Sequence, residues 1–228
     1  MEEVDVDSYS KLTCVAFDCD GVLVDLGSSW RVIHEHFGSD NQHMLAEYLA
    51  RNISDEEFMR SDIQLWKEIE SEIHRDDLIR LYQGVKLLPG ARELVNELQS
   101  KGIATVIVSA GVDLLIGAVA NMLKVDDWIA NGFEYDEQGF LKDDGILRVS
   151  AWNKAEVITR FLAMKNLSPE GLISIGDSEM DLSMRVDGSR FIGFNPSRDS
   201  SYKAFEEAGV PIIYEKDLAK IRPILGLD

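Results

Sequence analysis

Apolar runs of strand length alternate with amphipathic stretches of helical spacing over most of this chain, and few folds accommodate that alternation. LTCVAF (12–17), IATVIVS (103–109), LISIG (172–176), RFIGF (190–194) and PIIY (211–214) read as strands. ARELVNELQSKG (91–102), a stretch at 113–123, KAEVITRFLAMKN (154–166), a stretch from about Glu179 and one around 201–208 read as helices. Pro89-Gly90 opens the first of these helices and Gly102 stops it. Continuously apolar strands separated by helices belong to a parallel sheet covered on both faces. The expected fold is therefore α/β: a three-layer, Rossmann-like core with a mainly parallel sheet. FEYDEQG and GILRVS, with turn signals at Gln138-Gly139 and Asp144-Gly145, predict a hairpin or a pair of short strands.

The alternation is interrupted once. No glycine occurs between Gly38 and Gly84, and Ile63, Trp66, Ile69 and Ile73 recur at helical spacing. Ser54 followed by Glu57 reads as a capping box ahead of that run. These signals predict an all-helical insert, roughly 55 residues long, placed after the first strand. The expected organisation is a catalytic core of residues 11–27 and 86–228, an insert at 28–85 and an acidic N-terminal extension at 1–10.

Acidic residues outnumber basic ones by 41 to 23, for a formal charge of -18. Such a field repels phosphate backbones and argues against a nucleic-acid partner. It would repel a phosphorylated metabolite too, unless a cation and basic groups act locally. No apolar run approaches the ~18 residues of a membrane span, and the polar, acidic start MEEVDVDSYSK leads us to expect a cytoplasmic protein without a membrane partner. Cys14 and Cys19 offer no disulfide framework. On one extended strand they point to opposite faces, as two buried, reduced thiols.

Three predicted strands end in polar residues: the first at Asp18, with Asp20 and Gly21 behind it, the second at Ser109-Ala110-Gly111 and a third at Asp177. Ligands of open α/β sheets bind at the carboxyl ends of strands. Asp18 and Asp20 share a face if the strand reaches them, and Asp177 and Asp181 share one on a helix. Four converging carboxylates repel one another, a divalent cation relieves this, and hard oxygen ligands suit Mg²⁺. Lys154, at a helix start, is placed to add a compensating positive charge. Each element alone has a plainer reading. Asp-x-Asp-Gly is commonly a turn, Ser109 a strand-end or capping hydroxyl, Lys154 a solvated side chain, and GDSEMD an N-cap with an acidic first turn. The ordered set is much harder to obtain by accident.

The order Asp-x-Asp-Gly, strand-end Ser, Lys, Gly-Asp-x-x-x-Asp resembles that of the haloacid dehalogenase superfamily of phosphohydrolases, over essentially the whole chain after about residue 11. The resemblance implies that Asp18 is the nucleophile and Asp20 the general acid/base. It implies that Ser109, the Ala110 amide and Lys154 hold the phosphoryl oxygens. Mg²⁺ would be held by the Asp18 carboxylate, the Asp20 backbone carbonyl and Asp177, with Asp181 beside it. The expected activity is Mg²⁺-dependent hydrolysis of a small phosphorylated metabolite through an aspartyl-phosphate.

The insert between the Asp and Ser motifs, the hairpin ahead of Lys154 and the terminal GVPIIYEKDLAKIRPIL are similar to the phosphoserine phosphatase-like branch, in which the insert is a small cap. Lys154-Ala155 differs from the Lys-Pro usual in the β-phosphoglucomutase-like branch, and Asp20 sets the chain apart from dehalogenases. Gly27 and Ser28 stand where phosphoserine phosphatases carry a Glu for the substrate amino group. Asp62 lies near the place of their carboxylate-binding Arg, with Arg60 able to substitute in a shifted register, and Met180 replaces a frequent Asn. Trp30 and Trp66 form either an apolar lid over substrate or part of the insert's core, so Trp30, Arg60, Asp62 and Trp66 are the specificity candidates. His34, His36, His43 and His74 read as surface or cap residues, Trp128 and Trp152 as packing residues. A phosphomutase would share every catalytic residue. A phospho-acceptor signalling domain of the response-regulator kind uses Asp, Ser/Thr and Lys too, but in another order and without a helical insert.

Overall fold

A computed structural model describes residues 11–227; the acidic extension at 1–10 lies outside them. Seven strands form one sheet in the order β4-β3-β2-β1-β5-β6-β7. They are β1 (Cys14–Phe17), β2 (Ala104–Val112), β3 (Asp127–Tyr135), β4 (Leu141–Ile146), β5 (Leu172–Gly176), β6 (Arg190–Phe194) and β7 (Ile212–Ile213). Every pair is parallel except β3–β4. On β1, Val15 and Phe17 face one core layer with Leu94 and Ile116, while Cys14 and Ala16 face the other with Ile158 and Phe205. That two-residue alternation, on a strand buried on both faces, makes the three layers. Cys19 falls in the first layer and Cys14 in the second, and both thiols are free and buried.

Four helices intervene between β1 and the next core helix: α1 (Ser29–Phe37), α2 (Gln42–Leu49), α3 (Asp55–Ile69) and α4 (Arg75–Leu81). They make the all-helical cap. The expected capping box is present, with Glu57 N–H donating to Ser54 Oγ (3.2 Å) and Ser54 N–H to Glu57 Oε2 (2.8 Å). Met59, Asp62, Ile63 and Trp66 form the inner face of α3. Ile69 does not belong to that face and is 54% exposed, whereas Ile73, beyond the helix end, is buried. The core continues with α5 (Ala91–Ser100), α6 (Asp113–Leu123), α7 (Lys154–Lys165), α8 (Asp199–Glu207) and α9 (Arg222–Leu225).

Several local expectations are revised. The second strand does not end at Ser109 but runs on to Val112, with a register shift against β3 between Val108 and Val112. The 133–139 segment is the end of a longer strand that starts at Asp127 and joins the main sheet beside β2. Its turn falls at Gln138-Gly139 as expected, organised by Asp136 Oδ1, which accepts from the Gln138 and Phe140 amides. Asp144-Gly145, in contrast, lies inside β4. The glycine serves a close approach there, since a Cβ at Gly145 would collide with Met59 of α3. The stretch from Glu179 is a 3₁₀ helix (Glu179–Met184), and PIIY keeps only two paired residues. No helix among the described residues is long and apolar enough to cross a membrane.

Candidate active site

Register brings the motif residues to one rim. Phe17 pairs with Ile107 of β2 on one side and with Ile175 of β5 on the other. Asp18 follows one residue on, with Ser109 and Asp177 two residues past the partners of Phe17. The Asp18 amide still donates to the Ile175 carbonyl (2.9 Å), which anchors the start of the loop to the sheet. Gly21 then turns with φ +77°, and a Cβ there would strike the Asp177 carboxylate. Handedness and close approach both require glycine at this position.

Lys154 is the first residue of α7, a position that sets its charge against the helix dipole. The carboxylates around it more than compensate. Its Nζ donates to Asp18 Oδ1 and to Asp181 Oδ1, each at 2.6 Å, and the side chain is only 4% exposed. The other oxygen of Asp181 accepts from Ser178 Oγ (2.8 Å), the Ser178 amide (2.9 Å) and the Asp177 amide (3.1 Å). Asp181 is thus fully engaged by the protein, while the second oxygen of Asp18 remains open.

Asp20 sits behind them against the cap. Its Oδ2 accepts the Ser29 amide at 2.6 Å, and its Oδ1 is buried with no partner. Ser29 opens α1 behind the N-cap Ser28, so the positive end of the helix faces this carboxylate. Ser29 is itself pinned: its Oγ accepts the Val112 amide (2.9 Å), and Tyr82 Oη donates to its carbonyl (3.0 Å). A Cβ on Gly111 would press on both Ser29 Oγ and Asp20 Oδ2. Nearby, the Gly111 amide donates to Ser109 Oγ at 3.1 Å, which leaves the hydroxyl proton free for another acceptor. The Ala110 carbonyl accepts from Trp30 Nε1 (3.0 Å) and Asn131 Nδ2 (3.2 Å), one donor from the cap and one from the core.

Burial pushes the Asp18 carboxyl up to about 7, with Asp181 and Asp20 adding repulsion that the Lys154 ammonium only partly offsets. Burial also raises Asp177 well above the usual carboxylate range, and its neighbours Asp181 and Asp18 add to the effect. Asp20 is raised chiefly by burial, against the hydrogen bonds from Ser29. Asp181 goes the other way: burial opposes its ionisation, but Lys154 and the Ser178 donors outweigh it. Asp18, Asp177 and Asp181 each offer a carboxylate oxygen, all within 4.8 Å of one another. Crowded, hard-oxygen and short of positive charge, this donor set fits a divalent cation.

The cap candidates are placed differently. Trp66 is fully buried, stacked on Trp30 at 6.0 Å and edge-on to Phe133 at 5.8 Å, so it belongs to the interior. Trp30 is half-buried and reaches the rim through Ala110. Asp62 lies inside the cap, accepting from Asn41 Nδ2 (2.5 Å) and facing His34 Nε2 (3.1 Å). His34 Nδ1 in turn lies 3.1 Å from Trp66 Nε1, so this histidine is an interior residue of the cap. Arg60 pairs with Asp144 of β4 at 2.6 Å, both half-exposed. Trp128 is 41% exposed over Gly117 and packs only in part. Ser29, Tyr82 and Asn131 were not singled out by sequence; Ser28-Ser29 carries only an N-cap signal, and the other two become site neighbours through contacts between distant segments.

The pattern of the family described as haloacid dehalogenase-like hydrolase matches residues 15–185. A phosphoserine phosphatase of Archaeoglobus fulgidus is 28% identical over 185 residues, 79% of this chain and 52% of that protein. This chain thus spans about half the length of that relative. A phosphoserine phosphatase of Idiomarina loihiensis is 26% identical over 194 residues, 79% of this chain and 81% of the relative. Among solved structures, a phospho-aspartyl intermediate analogue of phosphoserine phosphatase superposes with a TM-score of 0.77 at 20% identity, covering 94% of this chain and 99% of that one. A substrate-bound phosphoserine phosphatase complex has the same TM-score and coverage at 19% identity. The match to the family pattern begins ahead of Asp18 and ends past Asp181, so the entire rim lies within it, and this chain belongs to the haloacid dehalogenase-like hydrolase family.

Proposed function

We propose that this protein is a phosphoserine phosphatase-like phosphomonoesterase that hydrolyses a small phosphorylated metabolite through an aspartyl-phosphate on Asp18. The observation that carries the reading is the setting of Asp18: Lys154 holds one of its oxygens, the other takes no protein donor, and the Asp177 and Asp181 carboxylates crowd it within 4.8 Å. With the ammonium already in place, the open oxygen attacks phosphorus and the ester bond breaks. Asp20, whose carboxyl burial raises above the usual carboxylate range, gives its proton to the leaving alkoxide. The resulting Asp20 carboxylate then takes a proton from the water that attacks the aspartyl-phosphate. Inorganic phosphate leaves and Asp18 is restored. The Ser109 hydroxyl, the Ala110 amide and Lys154 hold the phosphoryl oxygens where charge develops.

Mg²⁺ fits the donor set. Asp18, Asp177 and the Asp20 backbone carbonyl would hold it, because both oxygens of Asp181 are already engaged by Lys154, Ser178 and the Asp177 amide. When bound, the cation neutralises the crowded carboxylates and polarises the phosphoryl group. Asp181 serves as the anchor of Lys154. In this reading residues 28–85 are the lid over a core of 11–27 and 86–228, and the lid excludes water from the aspartyl-phosphate.

The test is phosphate release from a panel of small phosphomonoesters, phosphoserine included, with Mg²⁺ and after chelation. Metal-dependent release of inorganic phosphate is expected. Release from no ester, or an isomerised ester in place of free phosphate, overturns the reading.

A further inference from the structure

The cap touches the core at a second place, away from Asp20, and that contact adjoins Lys154. Residues 150–152 run immediately ahead of α7. Asp55, the first residue of α3, is spent on them: its Oδ2 accepts from Ser150 Oγ (2.8 Å) and its Oδ1 from the Ala151 amide (3.2 Å). Tyr48 Oη, from α2, donates to the same Oδ1 at 2.6 Å. An acidic residue in the first turn of a helix ordinarily serves the helix itself. Here both oxygens face a segment that is 95 and 96 residues distant in sequence.

Trp152 completes the grip. Its ring lies 6.2 Å from the Tyr48 ring, and the Arg51 guanidinium stands 4.2 Å over it. Arg51 has φ +60°, a left-handed conformation that a residue with a side chain adopts only at a cost. On the opposite side, Ser183 Oγ donates to the Ala151 carbonyl (2.8 Å) and accepts the Lys154 amide (3.2 Å). Ser183 lies on the 3₁₀ helix that carries Asp181. The segment is therefore held between the cap and the turn that anchors Lys154, with the Lys154 amide itself part of the network.

We propose that Asp55 is a positioning residue: it couples docking of the cap to placement of the Lys154 ammonium. The inference rests on the phosphomonoesterase reading. When the cap is docked, Asp55 and the Tyr48–Arg51 pair fix residues 150–152, and Lys154 enters α7 aimed at Asp18 and Asp181. When the cap lifts, the Ser150 hydroxyl and Ala151 amide lose their acceptor, Trp152 loses its cover, and the start of α7 is free to shift. Lys154 is then fully available to a phosphoryl group only under a closed cap.

The experiment compares Asp55→Asn with the wild-type chain and with Lys67→Ala, which breaks a different cap–core ion pair, to Asp143 on β4. Hydrolysis of p-nitrophenyl phosphate with Mg²⁺ is expected to show kcat about tenfold lower for Asp55→Asn, KM within about threefold, and Lys67→Ala within about twofold on both. Labelling by acetic anhydride, read by peptide mass, is expected to reach Lys154 faster in Asp55→Asn than in the other two chains. Equal kcat and equal Lys154 labelling in Asp55→Asn and wild type overturn the proposal, as does an equal loss in Lys67→Ala. If Asp55→Asn does not fold, Ser150→Ala removes one of the bonds, and an unchanged kcat and labelling pattern there overturns it equally. If wild type releases no p-nitrophenol, the kinetic comparison is made on the best ester of the panel; release from none of them overturns the phosphomonoesterase reading by itself, and the labelling comparison still decides whether Asp55 places Lys154.

Discussion

Asp62 in the cap and Asp18 at the sheet rim are both withdrawn from water, 2% and 6% exposed. Asp62 is met by Asn41 and His34, and the histidine is in turn faced by Trp66. Both groups meet the same oxygen, Oδ1, and neither also serves a second carboxylate. Asp18 shares one ammonium with Asp181, lies beside Asp177 and Asp20, and is raised to about 7 by burial and repulsion. Asp20 even keeps an orphaned oxygen. The cap gives Asp62 partners of its own, whereas the rim gathers several carboxylates round one shared ammonium, a crowding typical of functional sites.

The largest separation between the two clusters should come from Asp18→Asn. An amide of the same shape is a far weaker nucleophile, so turnover should fall by about 10³-fold or more. Stability of the metal-free chain should hold or rise, because one member of a repelling set is removed. Thermal melting in chelator, beside a phosphate-release assay, checks both. Residual turnover near wild type breaks the assignment of Asp18, and a marked drop in melting temperature breaks the contrast with the cap.

The next effect is on pH dependence. Burial, with Asp181 and Asp20 beside it, pushes Asp18 in the folded chain up to about 7, above the ~3.9 of a free aspartate. Between these values the folded state retains a proton that the unfolded chain has released, so stability is full below the lower value and is lost as pH rises through the higher one. Asp177 and Asp20 are displaced in the same direction. The lowered Asp181 and the raised Lys154 act outside this window, in acid and in strong alkali respectively. Melting temperature in chelator should therefore fall from about pH 5 to pH 8, and saturating Mg²⁺ should flatten that fall. A flat profile in chelator would show that the carboxylates are balanced without a cation.

These two clusters also differ in how much of them could be read in the chain. The rim is written in short local patterns: Asp-x-Asp-Gly after an apolar run, Ser109 after another, Gly-Asp-x-x-x-Asp after a third. Parallel pairing then aligns the strands with little freedom, so residues far apart in sequence reach one edge. The cap shows only its helicity, through the Ser54–Glu57 box and the spacing of Ile63 and Trp66. That Asp62 faces His34 and Asn41 depends on how α1 and α3 cross, which no pattern within a single helix encodes. Gly145 is a similar case. A turn signal by composition, it serves the approach of Met59, a packing fact that becomes visible only once α3 lies on β4. Ser29 and Tyr82 belong with these, since their roles at Asp20 arise from where the cap rejoins the core.

A smaller effect, of the opposite kind to Asp18→Asn, is expected from Asp62→Ala. Removing the carboxylate leaves Asn41 Nδ2 with Ser61 Oγ alone and His34 Nε2 without its partner, a loss of about 2 kcal/mol in urea unfolding. If the variant is as stable as wild type, the network around Asp62 is not the structural element described here.

Arg60→Ala should do least. The guanidinium and Asp144 are 47% and 53% exposed, and solvent screens the pair to under about 1 kcal/mol. Its value lies in KM. While Arg60 rests on the hairpin, no cap cation enters the reacting cluster, and KM for the best ester should change by less than about twofold, since such a pair adds no binding to substrate. A tenfold rise in KM would mean that Arg60 leaves Asp144 to hold the substrate. The cap would then supply charge to the rim as well as shelter, and the division between a cap that partners its own carboxylate and a crowded rim would hold only before substrate arrives.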